Sequence, residues 1–273
     1  MLVEKEDIFP LLRCPRSGVF LRAIDRKLIA ELDTQCIEYK IIDGYPVLID
    51  FDKSVLTEDG VKTLSSAVER RSYGKVSGAI RRLISPPLET TTENVKHLLA
   101  LLFASRDRAS ILVIGGGTVG QGMESLYNDP HIALVSFDIY SSPSVQFIAD
   151  AHSIPLQDSS FDAVIIQAVL EHVLDPGRVV SEIHRVLKLD GIVYAETPFL
   201  QHVHEGAYDF TRFTESGHRY LFKQFEAISS GASAGAGTQL LWSLEHFFRG
   251  LFRSRKAGKV VKLCFFGCNT AID

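Results

Sequence analysis

The chain has 273 residues, of which 46% are apolar and 23% charged, the proportions of an ordinary globular protein. Lysine plus arginine number 29 against 33 aspartate plus glutamate, a net charge of -4, which argues against a chain-wide basic grip on nucleic acid. No run reaches the roughly 18 consecutive apolar residues of a membrane span, and four cysteines are too few for a disulfide scaffold.

The opening MLVEKEDIFP mixes acids with apolar residues and does not read as a signal peptide, so the expectation is a cytoplasmic protein with reduced thiols. Residues 1–52 read as a self-contained β-rich piece, in which Tyr39 to Ile49 forms two strands around the Asp43-Gly44 turn. Residues 53–92 read as a connector, with basic pairs at Arg70-Arg71 and Arg81-Arg82 and a stop at Pro86-Pro87. Thr90 and Glu93 have capping-box spacing ahead of an apolar helix over 94–104.

From Ser110 strands alternate with helices. The expected strands are Ile111 to Ile114, Leu134 to Phe137, Phe147 to Ala149, Ala163 to Gln167 and, after the Asp190-Gly191 turn, Ile192 to Glu196. Asp175-Pro176 is an N-cap followed by proline at the first helical position, and Val179, Val180, Ile183, Val186 and Leu187 share one face. A helix is expected over 214–223, a sixth strand over 225–229, and an apolar helix over 240–252. This order predicts an α/β fold: a Rossmann-like, mostly parallel sheet with helices on both faces, plus a small N-terminal β-rich segment. The core is set at 93–230, with a helical, basic extension over 231–273.

The first core strand runs into Gly115-Gly116-Gly117, and Gly115, Gly117 and Gly120 satisfy G-x-G-x-x-G. A strand that ends in glycines lets backbone approach a ligand closely and aims N–H groups at it. Asp138 closes the next strand, 18 residues after Gly120, where a carboxylate suits the two hydroxyls of a ribose. These residues point to a nucleotide-like ligand, either a nicotinamide dinucleotide or S-adenosylmethionine.

The segment that follows separates the two. It reads Ala149-Asp150-Ala151-His152-Ser153-Ile154-Pro155-Leu156, then Ser160-Phe161-Asp162-Ala163-Val164, then Gln167-Ala168-Val169-Leu170-Glu171-His172-Val173, and ends in Val186-Leu187-Lys188-Leu189-Asp190-Gly191. In order and spacing, residues 110–198 resemble the class I S-adenosylmethionine-dependent methyltransferases of the type 11 kind. The resemblance implies that Gly115, Gly116 and Gly117 line the methionine end of the cofactor and that Asp138 holds the ribose. It implies that Asp150 accepts from the adenine amino group with Ala151 beside the ring, and that Gln167 and Ala168 lie along the cofactor.

The chain departs from the family at Val113, where an acid is common, and at Val119, where a glycine is. Only eleven residues separate Asp138 from Asp150, too few for a crossover helix, so Ser141-Ser142-Pro143 is expected in its place. A nicotinamide-dependent oxidoreductase and a non-catalytic methyltransferase-like binding protein are the alternatives.

The N-terminal piece resembles the small zinc ribbons found beside some methyltransferases. Its knuckles read Cys14-Pro15-Arg16-Ser17 and Cys36-Ile37-Glu38-Tyr39, one thiolate each, so no metal is expected.

The stretch from Thr197 to Phe213 carries two histidines, two acids, a tyrosine and an arginine, and loops in this position carry substrate contacts. Residues His202 to Arg212 are expected to fold over the methyl donor, with His204, then His202, as base and His172 as the competitor. Tyr208, Asp209 and Arg212 are expected at the acceptor, Asp209 orienting a histidine and Arg212 holding an anion. The acceptor is expected to be a small molecule or a sugar- or lipid-linked compound. The apolar helix at 240–252 reads as one packed on the sheet, with peripheral contact with anionic membrane through it and the basic residues after it as the alternative.

Overall fold

The computed structural model describes residues 1–25, 27–33, 35–63, 89–120, 122–203, 208–254 and 258. Among the described residues nine strands form one sheet in the order β1-β2-β3-β4-β7-β6-β5-β8-β9. The N-terminal strands β1 (Arg22–Ile24), β2 (Lys27–Glu31), β3 (Cys36–Ile42) and β4 (Tyr45–Leu48) form an antiparallel meander. Asp43 and Gly44, at φ 51 and 79, make the tight turn between β3 and β4. Beyond that turn β4 pairs in parallel with β7 (Phe147–Ala149), joining the meander to the central sheet.

The remaining strands are β5 (Ala109–Ile114), β6 (Ile132–Asp138), β8 (Phe161–Gln167) and β9 (Leu187–Glu196). From β4 to β9 all neighbours are parallel. The chain runs β5, β6, β7 in one direction and then crosses to β8 and β9, so the direction reverses between β5 and β8. Ligands of open α/β sheets bind outside the carboxyl ends at such a reversal.

The helices among the described residues are α1 (Glu58–Thr63), α2 (Glu89–Phe103), α3 (Glu124–Asn128), α4 (Pro176–Val186), α5 (Glu215–Leu221) and α6 (Ala236–Leu251). Alternate side chains of the strands feed two cores. Leu112, Ile114, Val164 and Ile166 pack against Val179, Val180, Ile183 and Val186 of α4. Ile111, Val113 and Ile165 pack against Val95, Leu98 and Leu102 of α2. The α4 cap forms as its sequence predicts, the Asp175 carboxylate accepting from Arg178 N at 3.0 Å.

Three local expectations differ. Helix α2 starts at Glu89, before the expected Thr90 cap, and Thr91 in its first turn donates to Glu196. The Asp190-Gly191 turn is absorbed into β9 as a bulge, with Asp190 at φ 60. Residues 225–229 form no strand: Phe225 packs edge-on to His184 of α4, and among the described residues the sheet ends at β9. Between Asp138 and Phe147 there is no helix, as the short spacing requires. The buried Gln146 side chain fills that gap, accepting from Ser136 N at 2.7 Å and donating to Val3 and Leu134 carbonyls.

Candidate functional site

The glycine loop follows β5 directly. Gly115 N and Gly116 N both donate to the Phe137 carbonyl, which folds the loop back over the end of β6. Gly115 has φ +76, and a methyl group there would overlap Val169. A methyl on Gly116 would overlap Ser136, and one on Gly117 would meet the Tyr140 ring at about 2.5 Å. The sequence therefore needs glycine here for packing as well as for backbone freedom. The helix after the loop, α3, has only five residues and starts at Glu124, so the loop runs on to Met123.

Asp138 sits under this loop. Its Oδ2 accepts from Gly117 N at 2.8 Å and its Oδ1 from Ile139 N at 2.7 Å. Burial pushes its pKa up to about 6 against those two hydrogen bonds. A carboxylate held this way keeps lone pairs on both oxygens for two further donors.

Asp150 ends β7 and caps a 3₁₀ turn, Ala151–Ser153. Its Oδ1 accepts from His152 N at 2.9 Å and meets His152 Nδ1 at 2.6 Å, while Oδ2 accepts from the Ser54 hydroxyl. Burial raises this carboxyl, but hydrogen bonds from His152 and Ser54 outweigh it and hold the pKa below the ordinary value. A cavity of about 210 Å³ opens beside it, lined among others by Asp50, Ser54, His152, Asp175 and Arg178. The buried Ala151 lies next to Asp150.

At the end of β8, Gln167 Nε2 donates to Glu196 Oε2 at 3.1 Å, and a methyl on Gly120 would overlap Gln167 Oε1. Ala168 adopts φ 53 and donates its N–H to the Glu196 carbonyl at 2.8 Å. A non-glycine residue in this left-handed region is strained, and such strain gathers at ligand sites.

The segment after β9 docks on the 3₁₀ turn Leu170–His172 that follows β8. His172 Nδ1 lies 2.6 Å from the Tyr208 carbonyl, and Phe210 N and Thr211 N donate to the Glu171 carbonyl. Tyr208 packs against the cluster of Val47, Ile49, Leu56 and Ile148, on the β4–β7 side of the sheet. His172 is half-buried, with Nε2 3.6 Å from Glu171 Oε1.

His204 and the other residues at 204–207 lie outside the described residues. His202 stacks on His246 of α6 with ring centroids 4.3 Å apart, both exposed. The Asp209 side chain is buried and pairs with Arg212 at 2.5 Å and 2.9 Å. Arg212 spends its remaining donors on the carbonyls of Gln201, His202 and Thr211, so its guanidinium ties the loop together.

Sequence reasoning missed the cluster around Glu196. Its Oε2 accepts from Tyr194 OH at 2.7 Å, Thr91 Oγ1 at 3.1 Å and Gln167 Nε2 at 3.1 Å. The available signal was the Tyr-x-Glu alternation at the end of β9, which puts both side chains on one face.

In the N-terminal piece the two knuckles do meet. Cys14 Sγ lies 3.1 Å from the Tyr39 hydroxyl, both buried, and Cys36 is exposed. Among the described residues no three histidine, cysteine or acidic side chains gather as a metal site. No helix among them is long and apolar enough to cross a membrane.

Residues 122–195 match a family model described as a methyltransferase domain. The chain is 32% identical over 137 residues to the ubiquinone/menaquinone biosynthesis C-methyltransferase UbiE of Geotalea uraniireducens, covering 48% of this chain and 50% of that one. It thus spans about half the length of that curated relative. Among solved structures it is similar to the PH0226 protein of Pyrococcus horikoshii, at 21% identity over 59% of this chain and 94% of the other, with a TM-score of 0.41. A SAM-dependent methyltransferase of Methanosarcina mazei shares 22% identity over 45% of this chain and 82% of its own, with a TM-score of 0.35. Asp138 and Asp150 thus stand within the residues that match a methyltransferase domain, and the glycine loop stands just before them.

Proposed function

We propose that the protein binds S-adenosylmethionine across the carboxyl ends of β7, β6, β5 and β8 and transfers its methyl group to an acceptor. The observation that carries this is Asp138, a half-buried carboxylate pinned by Gly117 N and Ile139 N, with both oxygens able to take further donors. The donor set fits the cofactor: a ribose offers two adjacent hydroxyls to Asp138, and an adenine amino group offers N–H to Asp150. A side chain on Gly115, Gly116 or Gly117 would overlap Val169, Ser136 or Tyr140, so the loop can offer a ligand only backbone groups.

When bound, S-adenosylmethionine supplies an electrophilic methyl group on a positively charged sulfur. The protein's part is to hold donor and acceptor in line and keep water out, an effect worth up to about 7–11 kcal/mol in well-oriented systems. The segment around Tyr208, fixed to Glu171 and His172 by backbone bonds, supplies the cover. For a hydroxyl acceptor, a base adds roughly 10²- to 10⁴-fold. Of the candidate histidines, His172 stands nearest the end of β8, with Nδ1 on a carbonyl, which leaves the proton-accepting role to Nε2.

The acceptor we favour is small, or sugar- or lipid-linked. The relative named for quinone biosynthesis supports a lipid-linked one, as do the exposed Leu240, Phe247, Leu251 and Phe252 on and after α6. Thermal-shift measurements with S-adenosylmethionine, S-adenosylhomocysteine and NADPH in parallel test the reading. Stabilisation by the first two alone is expected; stabilisation by NADPH alone, or by none, refutes it.

A further inference from the structure

Three hydrogen-bond donors converge on Glu196, yet it makes no ion pair with a described residue. Its Oε2 is saturated by Tyr194, Gln167 and Thr91, whereas Oε1 keeps only the long arm of the Thr91 contact, at 3.4 Å. Burial, and next the Glu196 charge, hold the Tyr194 hydroxyl above its ordinary pKa, so it stays a donor. A half-buried carboxylate with an open oxygen and no counter-charge among the described residues calls for a cation.

The sheet register says where that cation lies. Phe137, Ile114, Ile166 and Ala195 are successive partners across β6, β5, β8 and β9. One residue further along, the same row holds Asp138, Gly115, Gln167 and Glu196, whose side chains share a face. Gly115 contributes only backbone, so Asp138 and the Gln167–Glu196 pair stand on either side of the glycine loop. Three strand spacings of about 4.8 Å put the ends of the row roughly 14 Å apart. Eight bonds separate a ribose 3′-oxygen from the α-amino nitrogen of S-adenosylmethionine, roughly 10 Å when extended. A hydrogen bond of about 2.9 Å at each end makes the two spans comparable.

We propose that Glu196 binds the α-ammonium of the methionine end of the cofactor through Oε1, while Thr91, Tyr194 and Gln167 hold the carboxylate in place. Val113, two residues before Gly115 on β5, offers no charge to that ammonium, and Glu196 supplies it from β9 instead. The inference rests on the cofactor reading above and adds a contact to it.

The test uses binding calorimetry with two probes on the whole chain. S-adenosylhomocysteine carries the α-ammonium and 5′-methylthioadenosine lacks the amino-acid arm. Glu196→Gln is expected to weaken S-adenosylhomocysteine about ten- to hundredfold and to leave 5′-methylthioadenosine unchanged. The desamino analogue of S-adenosylhomocysteine should lose as much on the unaltered protein, which removes any dependence on how the variant folds. Equal weakening of both probes, or of neither, or full affinity for the desamino analogue, overturns the assignment. Failure of the unaltered protein to bind either probe would sink the cofactor reading itself.

Discussion

Lowering the pH from 8 to 5 is expected to weaken S-adenosylhomocysteine binding about tenfold, through protonation of Asp138. In the proposed site ribose hydroxyls would donate to the carboxylate form, and burial sets the pKa of this group at about 6 instead of an ordinary 3.8. At pH 5 about one molecule in eleven then carries the charged form, which fixes the tenfold figure. Asp150 is held below its ordinary value, so it stays charged through the same window.

The sign for stability is opposite to that of a salt-bridged carboxylate. Because the folded value is raised, Asp138 favours the fold most below the unfolded value and loses that contribution as pH rises through about 6. Above that, the buried charge costs the ligand-free fold about 3 kcal/mol. Asp138→Asn removes the charge but turns an amide N–H₂ toward one of Gly117 N and Ile139 N, a loss of about 1–3 kcal/mol. The two terms nearly cancel, so the variant should unfold within about 2 kcal/mol of the parent at pH 8 while its binding is weak and flat with pH. The assay is calorimetric titration from pH 8 to 5 on both proteins, with thermal unfolding alongside. A parent affinity that does not change over that range, or an Asn variant with the same pH slope, refutes the reasoning.

Four other outcomes follow from the geometry. Gly116→Ala forces a methyl group onto Ser136 and to 3.2 Å from Val113 Cγ1, and should lower stability by about 1–3 kcal/mol in thermal unfolding. Tyr39→Phe takes the partner from the buried Cys14 thiol and should cost about 1 kcal/mol, with no stoichiometric zinc in metal analysis of either protein. Once an acceptor is identified, His172→Ala should lower turnover with S-adenosylhomocysteine affinity retained, and His202→Ala, whose ring stacks on His246, should keep both. Co-sedimentation with anionic vesicles should fall when Arg253, Arg255 and Lys256 are changed to Glu, the last two lying beyond the described residues.

The parts of the fold that local sequence determines were legible in advance. The β5 glycines, the Asp175-Pro176 start of α4 and the missing crossover after Asp138 rest on spacing and on conformations set within a few residues. What failed depends on partners far along the chain. Thr91 bonds to Glu196, 105 positions away, so the helix begins ahead of its apparent cap. Phe225 finds the α4 helix instead of a sheet edge. The Asp209–Arg212 pair has i,i+3 spacing, which by itself does not tell an ion pair from two separate side chains. Glu196 looked like any acid at a strand end until the register placed it beside Gln167.

Asp138 and Asp150 show why position alone does not set the chemistry of an acid. Both end parallel strands, one strand apart, and both are buried enough for desolvation to raise them. Asp138 has only two backbone N–H groups to oppose that, and it stays high. Asp150 gains a histidine N–H and the Ser54 hydroxyl as well, and it goes low. Ser54 reaches Asp150 from the segment that follows β4, the strand the N-terminal meander adds to the central sheet. The parallel pairing of β4 with β7 therefore does more than extend the sheet. It delivers a hydroxyl that, together with His152, holds the Asp150 carboxyl low while burial holds that of Asp138 high.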